Sequence, residues 1–192
     1  ITKTETSVAS VHFPITGIQQ LDQKIKNTIF YIQKQFSYHS KPQLSLKGTS
    51  ELNVDYEFWK VNQRYYNIVL TSFITSPSLS HPINEVHTFV YDKEKNKFLT
   101  IEEIATISFG SLKQALIQQE KNCIIFSSLE NTLQEKNREH LKFTFSDHAI
   151  TFYFNPSSIA PSSCGIITYK MPCTNFKISI QKEERIKNTF QF

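Results

Sequence analysis

The sequence predicts an α+β fold, in which an antiparallel sheet carries one long N-terminal helix and further short helices packed on it. The sheet is predicted to consist of a meander followed by a C-terminal hairpin. Aromatic residues are abundant, with 16 Phe and 8 Tyr in 192 residues, and aromatic side chains favour strands. One long segment shows apolar residues at helical spacing, while several shorter segments alternate between apolar and polar residues.

Composition favours one folded domain over residues 1–192. Hydrophobic residues make up 39% of the chain and charged residues 20%, which is enough apolar material to bury a core. With 4 Gly in the chain, most turns fall to Asn, Asp, Ser and Pro, which form them through side-chain hydrogen bonds or a fixed φ. The charged tail, at about 180–192, is predicted to be a frayed helix.

The long helix is predicted at about residues 17–38, with Thr16 as its N-cap. Its apolar residues recur every three or four positions, as a helix with one buried stripe requires. They are Ile18, Leu21, Ile25, Ile29, Ile32 and Phe36.

Four strands surround this helix in the sequence. Residues 4–13 alternate weakly and predict an edge strand that ends at a proline. Residues 52–58 alternate clearly and predict a half-buried strand. Two further strands are predicted at 65–75, which runs back along the first, and at 85–92. Because each connection between the last three is short, a meander is expected.

Shorter elements follow toward the C-terminus. Thr100, with Glu102 and Glu103 behind it, predicts a helix start, and Gly110 predicts a break before the next helix. The remaining predicted elements are a helix at 111–121, a polar surface helix at 128–138, a hairpin turning at Ser146–His148 and a strand at 165–172.

Charge and hydropathy restrict the partners. The formal net charge is +4, but the basic residues are scattered along the sequence, which favours solvated faces over the clustered stripe of a nucleic-acid site. We therefore expect no nucleic-acid partner. No apolar run is long enough to span a membrane, so membrane contact is expected only through a segment outside this chain. The chain opens on Ile, which suggests a trimmed product.

Motifs for catalysis are missing from the sequence. It contains neither a nucleophile elbow nor a glycine-rich phosphate loop, and its histidines lack the spacing of metal ligands. We expect no enzyme, no metal and no cofactor. His81 is the exception worth weighing, since it lies in the serine-rich loop 76–82 with Ser78 and Ser80. Such a loop either binds a ligand or is held in place by hydrogen bonds of these side chains.

The three cysteines leave two alternatives. Either Cys123, Cys164 and Cys173 are half-buried thiols, or Cys164 and Cys173 form a disulfide with Cys123 left over. The odd number of cysteines favours the thiols.

Two quoted segments carry a family resemblance: "EVHTFVYDKEKNKFLTIEEI" at 85–104 and "FYFNPSSIAPSSCG" at 152–165. Together with the order of the predicted elements, they resemble the extracytoplasmic domain shared by the anti-sigma factor RsiV and the non-catalytic region of PdaC-type peptidoglycan deacetylases, over about residues 8–178. The matching signature is Phe152, Tyr153, Phe154, Asn155, Ile159, Ala160, Pro161 and Gly165.

The resemblance implies a bacterial, extracytoplasmic (secreted, periplasmic or cell-surface) domain that binds or senses a cell-envelope glycan or a protein. Its signature loop is expected to be structural. The partners it implies are peptidoglycan fragments or a protein such as lysozyme, and the net positive charge favours the glycan. Two alternatives stay open: an accessory domain of a deacetylase whose catalytic domain is absent from this chain, and a stand-alone secreted or periplasmic protein.

One departure from the family concerns the predicted ligand loop. The family usually has paired glycines before the histidine, where this chain has Ser78, Leu79 and Ser80 before His81. Serine and leucine do not adopt a positive φ cheaply, so a different loop conformation is expected.

Overall fold

A computed structural model describes residues 2–3, 7–41, 48–120, 123–172, 174 and 176–178. The chain divides into two compact units. The first comprises residues 1–59 and 68–88, and the second comprises residues 60–67 and 89–192. The predicted single domain stays a prediction, and the predicted tail at 180–192 lies outside the described residues.

The elements follow the predicted α+β order. The helices are α1 (Gln19–His39), α2 (Ile101–Ile104), α3 (Phe109–Gln119) and α4 (Phe126–Leu133), with 3-10 turns at Glu135–His140 and Ser162–Cys164. The strands are β1 (Thr2–Lys3), β2 (Ser7–Val11), β3 (Ser50–Val61), β4 (Tyr65–Thr75), β5 (Ile83–Asp92), β6 (Lys97–Phe98), β7 (Ala105–Ile107), β8 (Lys142–Phe145), β9 (Ala149–Phe154), β10 (Ile167–Pro172) and β11 (Phe176–Ile178).

The sheets are mostly antiparallel, as predicted. Strands β1 to β6 form one sheet in sequence order, and β3, β4 and β5 within it are the predicted meander. Strands β10, β9 and β8 form a second sheet in that order, and β11 pairs with β7. Strands β3, β4 and β5 each contribute residues to both compact units.

The core of the first unit confirms the helical stripe. Five residues of α1 are buried: Leu21, Ile25, Ile29, Ile32 and Phe36. The same unit buries apolar residues of its strands, among them Leu52, Val54, Ile68, Leu70, Ile74 and Val86. Since a side chain of this size contributes about 1.5–3 kcal/mol when fully buried, the stripe is the main attachment of α1.

The start of α1 differs from the prediction. Its N-cap is Ile18, not Thr16. The backbone N–H and hydroxyl of Thr16 donate to Oδ1 of Asp22 at 2.8 and 2.7 Å, and the N–H of Gly17 donates to Oδ2. Although burial raises the pKa of the Asp22 carboxyl, these hydrogen bonds outweigh it and lower the pKa below its ordinary value. The Asp22 carboxylate thus holds the segment that precedes α1, and no side-chain hydrogen bond caps the helix at Ile18.

Two strand predictions need correction. Strand β2 is not at an edge, because it lies between β1 and β3, and it runs parallel to β3 with Ser7 opposite Ser50. In β3 the alternation holds for the buried Leu52 and Val54 but fails for Tyr56 and Phe58, which are exposed.

In the second unit, most predicted elements are present. Thr100 and Glu103 form the capping box of α2. Gly110 does not break a helix, because it lies in the first turn of α3, which is capped by the Ser108 hydroxyl. The hairpin β8–β9 turns at 146–148 as predicted, and β10 pairs with β9. The pair β7–β11 was not predicted.

In the part of the chain that the structure describes, no helix is long and apolar enough to cross a membrane.

Candidate functional site

The loop 76–82 joins β4 to β5 in the first unit, and two serines attach it to the end of α1. The hydroxyls of Ser76 and Ser78 donate to the carbonyl oxygen of His39 at 2.7 and 2.9 Å. The last carbonyls of a helix lack partners within the helix, so the loop supplies donors that α1 needs. The hydroxyl of Ser50 donates to Ser76 at 3.1 Å, which extends the network to β3.

A close backbone approach also fixes the loop. Gly48 has a φ of +143°, a conformation that side-chain-bearing residues rarely adopt. A Cβ added at Gly48 would lie 2.9 Å from Cγ of Pro77. Only glycine at position 48 therefore lets the loop proline lie so close to the chain before β3.

The predicted ligand residues divide into two kinds. Ser78 uses its hydroxyl to hold the loop on α1, which is the structural alternative for this loop. Ser80 and His81 lie exposed at the loop tip, where Nδ1 of His81 is 3.3 Å from the carbonyl oxygen of Pro82. The structure thus brings the three residues onto one loop and leaves Ser80 and His81 accessible.

An exposed aromatic residue lies next to the loop attachment. The side chain of Tyr38 is 67% exposed, and its ring meets the ring of His39 edge-on at 5.0 Å. The ammonium of Lys41 lies 5.5 Å from the centre of the Tyr38 ring, within the range of a cation–π contact. Tyr38 was not among the predicted site residues, because a single aromatic residue on the exposed side of a helix is common and gives no signal on its own.

The signature loop after β9 is packed into the second unit. Ile159 and Ala160 are buried, whereas Pro161 is exposed. The carbonyl of Asn155 accepts the N–H and the hydroxyl of Ser158, at 3.1 and 2.6 Å. Gly165 has a φ of +70°, which explains a glycine at this position.

The disulfide differs from both cysteine alternatives. Cys164 bonds to Cys123, with their Cα atoms 6.2 Å apart. The bridge from Cys164 to Cys173 was therefore wrong, and Cys173 lies outside the described residues. The backbone N–H of Ile125 donates to the carbonyl of Ile159 at 2.8 Å, so a hydrogen bond also joins the two segments that carry the cysteines. Sequence spacing could not reveal this contact.

A buried ion pair in the second unit was also missed. Arg64 donates from Nε and Nη2 to the two carboxylate oxygens of Asp92, at 2.9 and 2.6 Å, and both side chains are almost fully buried. Oδ1 of Asp92 also accepts the backbone N–H groups of Glu94 and Lys95. Burial raises the pKa of the Asp92 carboxyl, but the hydrogen bonds from Arg64 and Lys95 outweigh it and lower the pKa below its ordinary value. The pair holds the turn after β5, and its complete pairing indicates a structural role.

Within the described ranges, no group of three or more His, Cys, Asp or Glu side chains could hold a metal ion.

Comparison with known proteins gives one family match. Residues 90–174, less than half of the chain, match the family described as "Protein of unknown function (DUF3298)". None of the curated proteins matches the chain significantly.

Two solved structures are similar in fold. A DUF3298 family member from Bacteroides fragilis has 15% identity and a TM-score of 0.49, and the match covers 81% of this chain and 64% of that one. A DUF3298 family protein from Pseudomonas aeruginosa has 16% identity and a TM-score of 0.46, with 75% and 66% covered. This chain thus spans about two thirds of the length of each. Identities and TM-scores are low, so these likenesses carry no inference about function.

Proposed function

We propose that this chain is a non-enzymatic extracytoplasmic module that binds a cell-envelope glycan at loop 76–82 and the adjoining end of α1. The observation that carries the proposal is the attachment of the loop to the His39 carbonyl by Ser76 and Ser78. This attachment holds the loop before any ligand arrives, so less conformational entropy is lost on binding. Ser80, His81 and the ring of Tyr38 then offer hydrogen-bonding groups and an aromatic surface, which sugars use.

Two further observations support the location and the class. The Cys123–Cys164 disulfide suits an oxidising compartment such as the periplasm or the cell exterior. The resemblance to the extracytoplasmic domains of RsiV and of PdaC-type deacetylases points to the bacterial envelope, where peptidoglycan fragments are the expected ligands. A net charge of +4 disfavours a basic protein such as lysozyme as the partner.

Titration with soluble peptidoglycan fragments, followed through backbone amide signals, tests this proposal. We expect shifts at residues 76–82 and at the end of α1, and weaker binding by the Ser80→Ala/His81→Ala variant. His148→Ala is the matched control, because His148 is also exposed in a turn. Shifts remote from loop 76–82, or binding of lysozyme in preference to the fragments, would contradict the proposal.

The absence of hydrolase activity is part of the same proposal. Acetylated chitin oligomers incubated with the chain and divalent metals should show only background deacetylation. Turnover that disappears in the His81→Ala variant would instead make His81 catalytic. That result would favour a role in deacetylation over simple binding.

A further inference from the structure

One side of α1 carries a stripe of exposed cationic and aromatic side chains that neither the core nor the loop contacts explain. The stripe begins with Lys24 and Asn27 and continues through Tyr31, Lys34, Tyr38 and Lys41. The first five follow one another at intervals of three and four, so they lie in one row along the helix, and Lys41 follows just beyond the helix end. All six are exposed. Since the buried stripe of α1 faces the core, this second row is free to meet solvent.

The two tyrosines of the stripe are held in position by their neighbours. Gln35 donates from Nε2 to the Tyr31 hydroxyl at 2.7 Å, and the ring of His87 meets the Tyr31 ring edge-on at 6.3 Å. Tyr38 has its contacts with His39 and Lys41. Tyr31 remains 45% exposed despite these contacts. Both rings therefore keep a defined orientation while a large part of each ring surface faces solvent.

The distance between the rings restricts the ligand. Seven residues separate Tyr31 from Tyr38, which corresponds to about 10 Å along the helix axis. That spacing is close to the length of one disaccharide in an extended β-1,4-linked sugar chain. Sugar rings stack their C–H faces on aromatic rings, so two rings at this separation suit every second sugar of such a chain.

The charges along the stripe indicate the sign of the charge that a ligand should carry. The stripe contains three lysine ammonium groups and no carboxylate. Asp22, the acidic residue within α1, is turned to Thr16 and Gly17 at the other end of the helix. The nearby Glu85 carboxylate lies 3.2 Å from Nε2 of His87. An anionic ligand is thus favoured electrostatically along the row.

We propose that this stripe binds an extended, carboxylate-bearing polysaccharide, with Tyr31 and Tyr38 stacking on sugars one disaccharide apart and Lys34 and Lys41 facing the carboxylates. The inference rests on the proposed glycan-binding function and extends its site from the end of α1 along the helix. A basic row with aromatic rings also suits single-stranded nucleic acid. The disulfide, which suits an oxidising compartment, favours the polysaccharide.

The test compares affinities of the full chain for soluble peptidoglycan strands longer than one disaccharide, for a single disaccharide fragment and for neutral chitin oligomers of matched length. The long anionic strand should bind tightest, and its affinity should fall as salt is added. Tyr31→Ala and Tyr38→Ala should each weaken that binding about tenfold, while Tyr→Phe at either position should retain most of it. Lys34→Gln should reduce the salt dependence. Phe30→Ala is the matched control, since Phe30 is 69% exposed on α1 but outside the stripe, and it should bind like the parent.

Several results would contradict polysaccharide binding by the stripe. Parent-like affinity of both Tyr→Ala variants is the first. If the Ser80→Ala/His81→Ala variant bound more weakly in the same assay, binding would be confined to loop 76–82. Tighter binding of a single-stranded DNA oligonucleotide, or of phosphatidylglycerol vesicles, would reassign the stripe to another class of partner. Absence of binding to every glycan would refute both the stripe and the proposed function.

Discussion

Two polar attachments hold connecting segments in this protein, and they differ in charge and burial. In the first unit, the neutral hydroxyls of Ser76 and Ser78 hold loop 76–82 on the His39 carbonyl, in a partly exposed position. In the second unit, the charged Arg64–Asp92 pair holds the turn after β5, with both side chains almost fully buried. The first attachment can be lost cheaply, because water can replace a missing hydroxyl. The second cannot, because losing one partner leaves a buried charge unpaired.

The two attachments differ in how much a substitution at each is expected to disturb the fold. A loop held by exchangeable hydrogen bonds tolerates new residues at its tip, which suits a recognition loop. A turn held by a buried ion pair fixes both of its partners, so such a turn is better suited to maintaining the fold. The loop that we propose as the glycan site is held in the first of these two ways.

The largest effect is expected from breaking the buried pair. Asp92→Ala should destabilise the protein by about 3–5 kcal/mol, because Arg64 then stays buried without its buried carboxylate partner and keeps only the exposed Glu94. Urea denaturation would measure this loss. Glu94→Ala is the matched control, since Glu94 also pairs with Arg64 but its side chain is 58% exposed, and its loss should cost at most about 1 kcal/mol. An Arg64→Met/Asp92→Asn double variant should be more stable than Asp92→Ala. Equal losses of unfolding free energy in Asp92→Ala and Glu94→Ala would contradict the expectation that the buried partner matters more than the exposed one.

A covalent attachment adds to the second unit. Cys123 and Cys164 close a loop with a sequence separation of 41 residues. The Cys123→Ser/Cys164→Ser variant should therefore lose up to about 4 kcal/mol, through the greater entropy of its unfolded chain. Hydrogen exchange should show the loss over the second unit, both at β9 inside the closed loop and at its partner β10 outside it. A uniform loss over α1 as well would mean that the two units unfold together.

Acid should weaken the charged attachment and spare the neutral one. The folded-state pKa of Asp92 is lowered, so the stability it contributes is fully present above the unfolded value of about 3.9 and is lost as the pH falls through the folded pKa. The pKa values of Asp22 and Glu103 are lowered too, so they contribute in the same direction. The parent should lose stability below about pH 4, and the Arg64→Met/Asp92→Asn variant should lose less over the same range. If the free energy of unfolding depended on pH in the same way in the parent and in the double variant, the ion pair would not be coupled to protonation of Asp92.

The smallest effect is expected at the serine attachment. Ser76→Ala and Ser78→Ala should each cost about 1 kcal/mol or less, because each hydroxyl donates to a carbonyl that the other also reaches. The double variant should lose more than the two single losses combined, since only then is the His39 carbonyl left without either donor. Ser80→Ala should leave stability unchanged. Comparing urea midpoints measures all four variants, and a cost for Ser76→Ala as large as that for Asp92→Ala would contradict the ranking.

Local patterns made most of the fold predictable. The helix α1 was found because five buried residues recur at helical spacing, and the hairpin β8–β9 because strong alternation flanks a turn. The parallel pairing of β2 with β3 was not predicted. The apolar–polar pattern of a strand does not show which distant strand it pairs with or in which direction. Gly110 misled for a different reason: it is exposed in the first turn of α3, and the cost of a glycine applies mainly to helix interiors.

Less of the site was accessible from sequence. The serines and His81 of loop 76–82 stood out by composition, but the His39 carbonyl that anchors them is a backbone atom and carries no residue signature. The lysines of α1 look scattered in the sequence, because uncharged residues separate them. The helix aligns Lys24 and Lys34 with Tyr31 and Tyr38, and Lys41 lies near the Tyr38 ring just beyond the helix end. The partners Arg64 and Asp92 belong to different turns, and only the fold brings them together.

Because β2 pairs in parallel with β3, β2 has to wait for a partner that is synthesised only after all of α1. Until residues 50–54 have emerged, the edge of β2 that will face them has unpaired N–H and C=O groups. The stripe of α1 can form meanwhile, since helix contacts are local, but its apolar face has no sheet to cover it. We expect a nascent chain arrested within α1 to bind holding chaperones, and one released after β4 to be largely free of them.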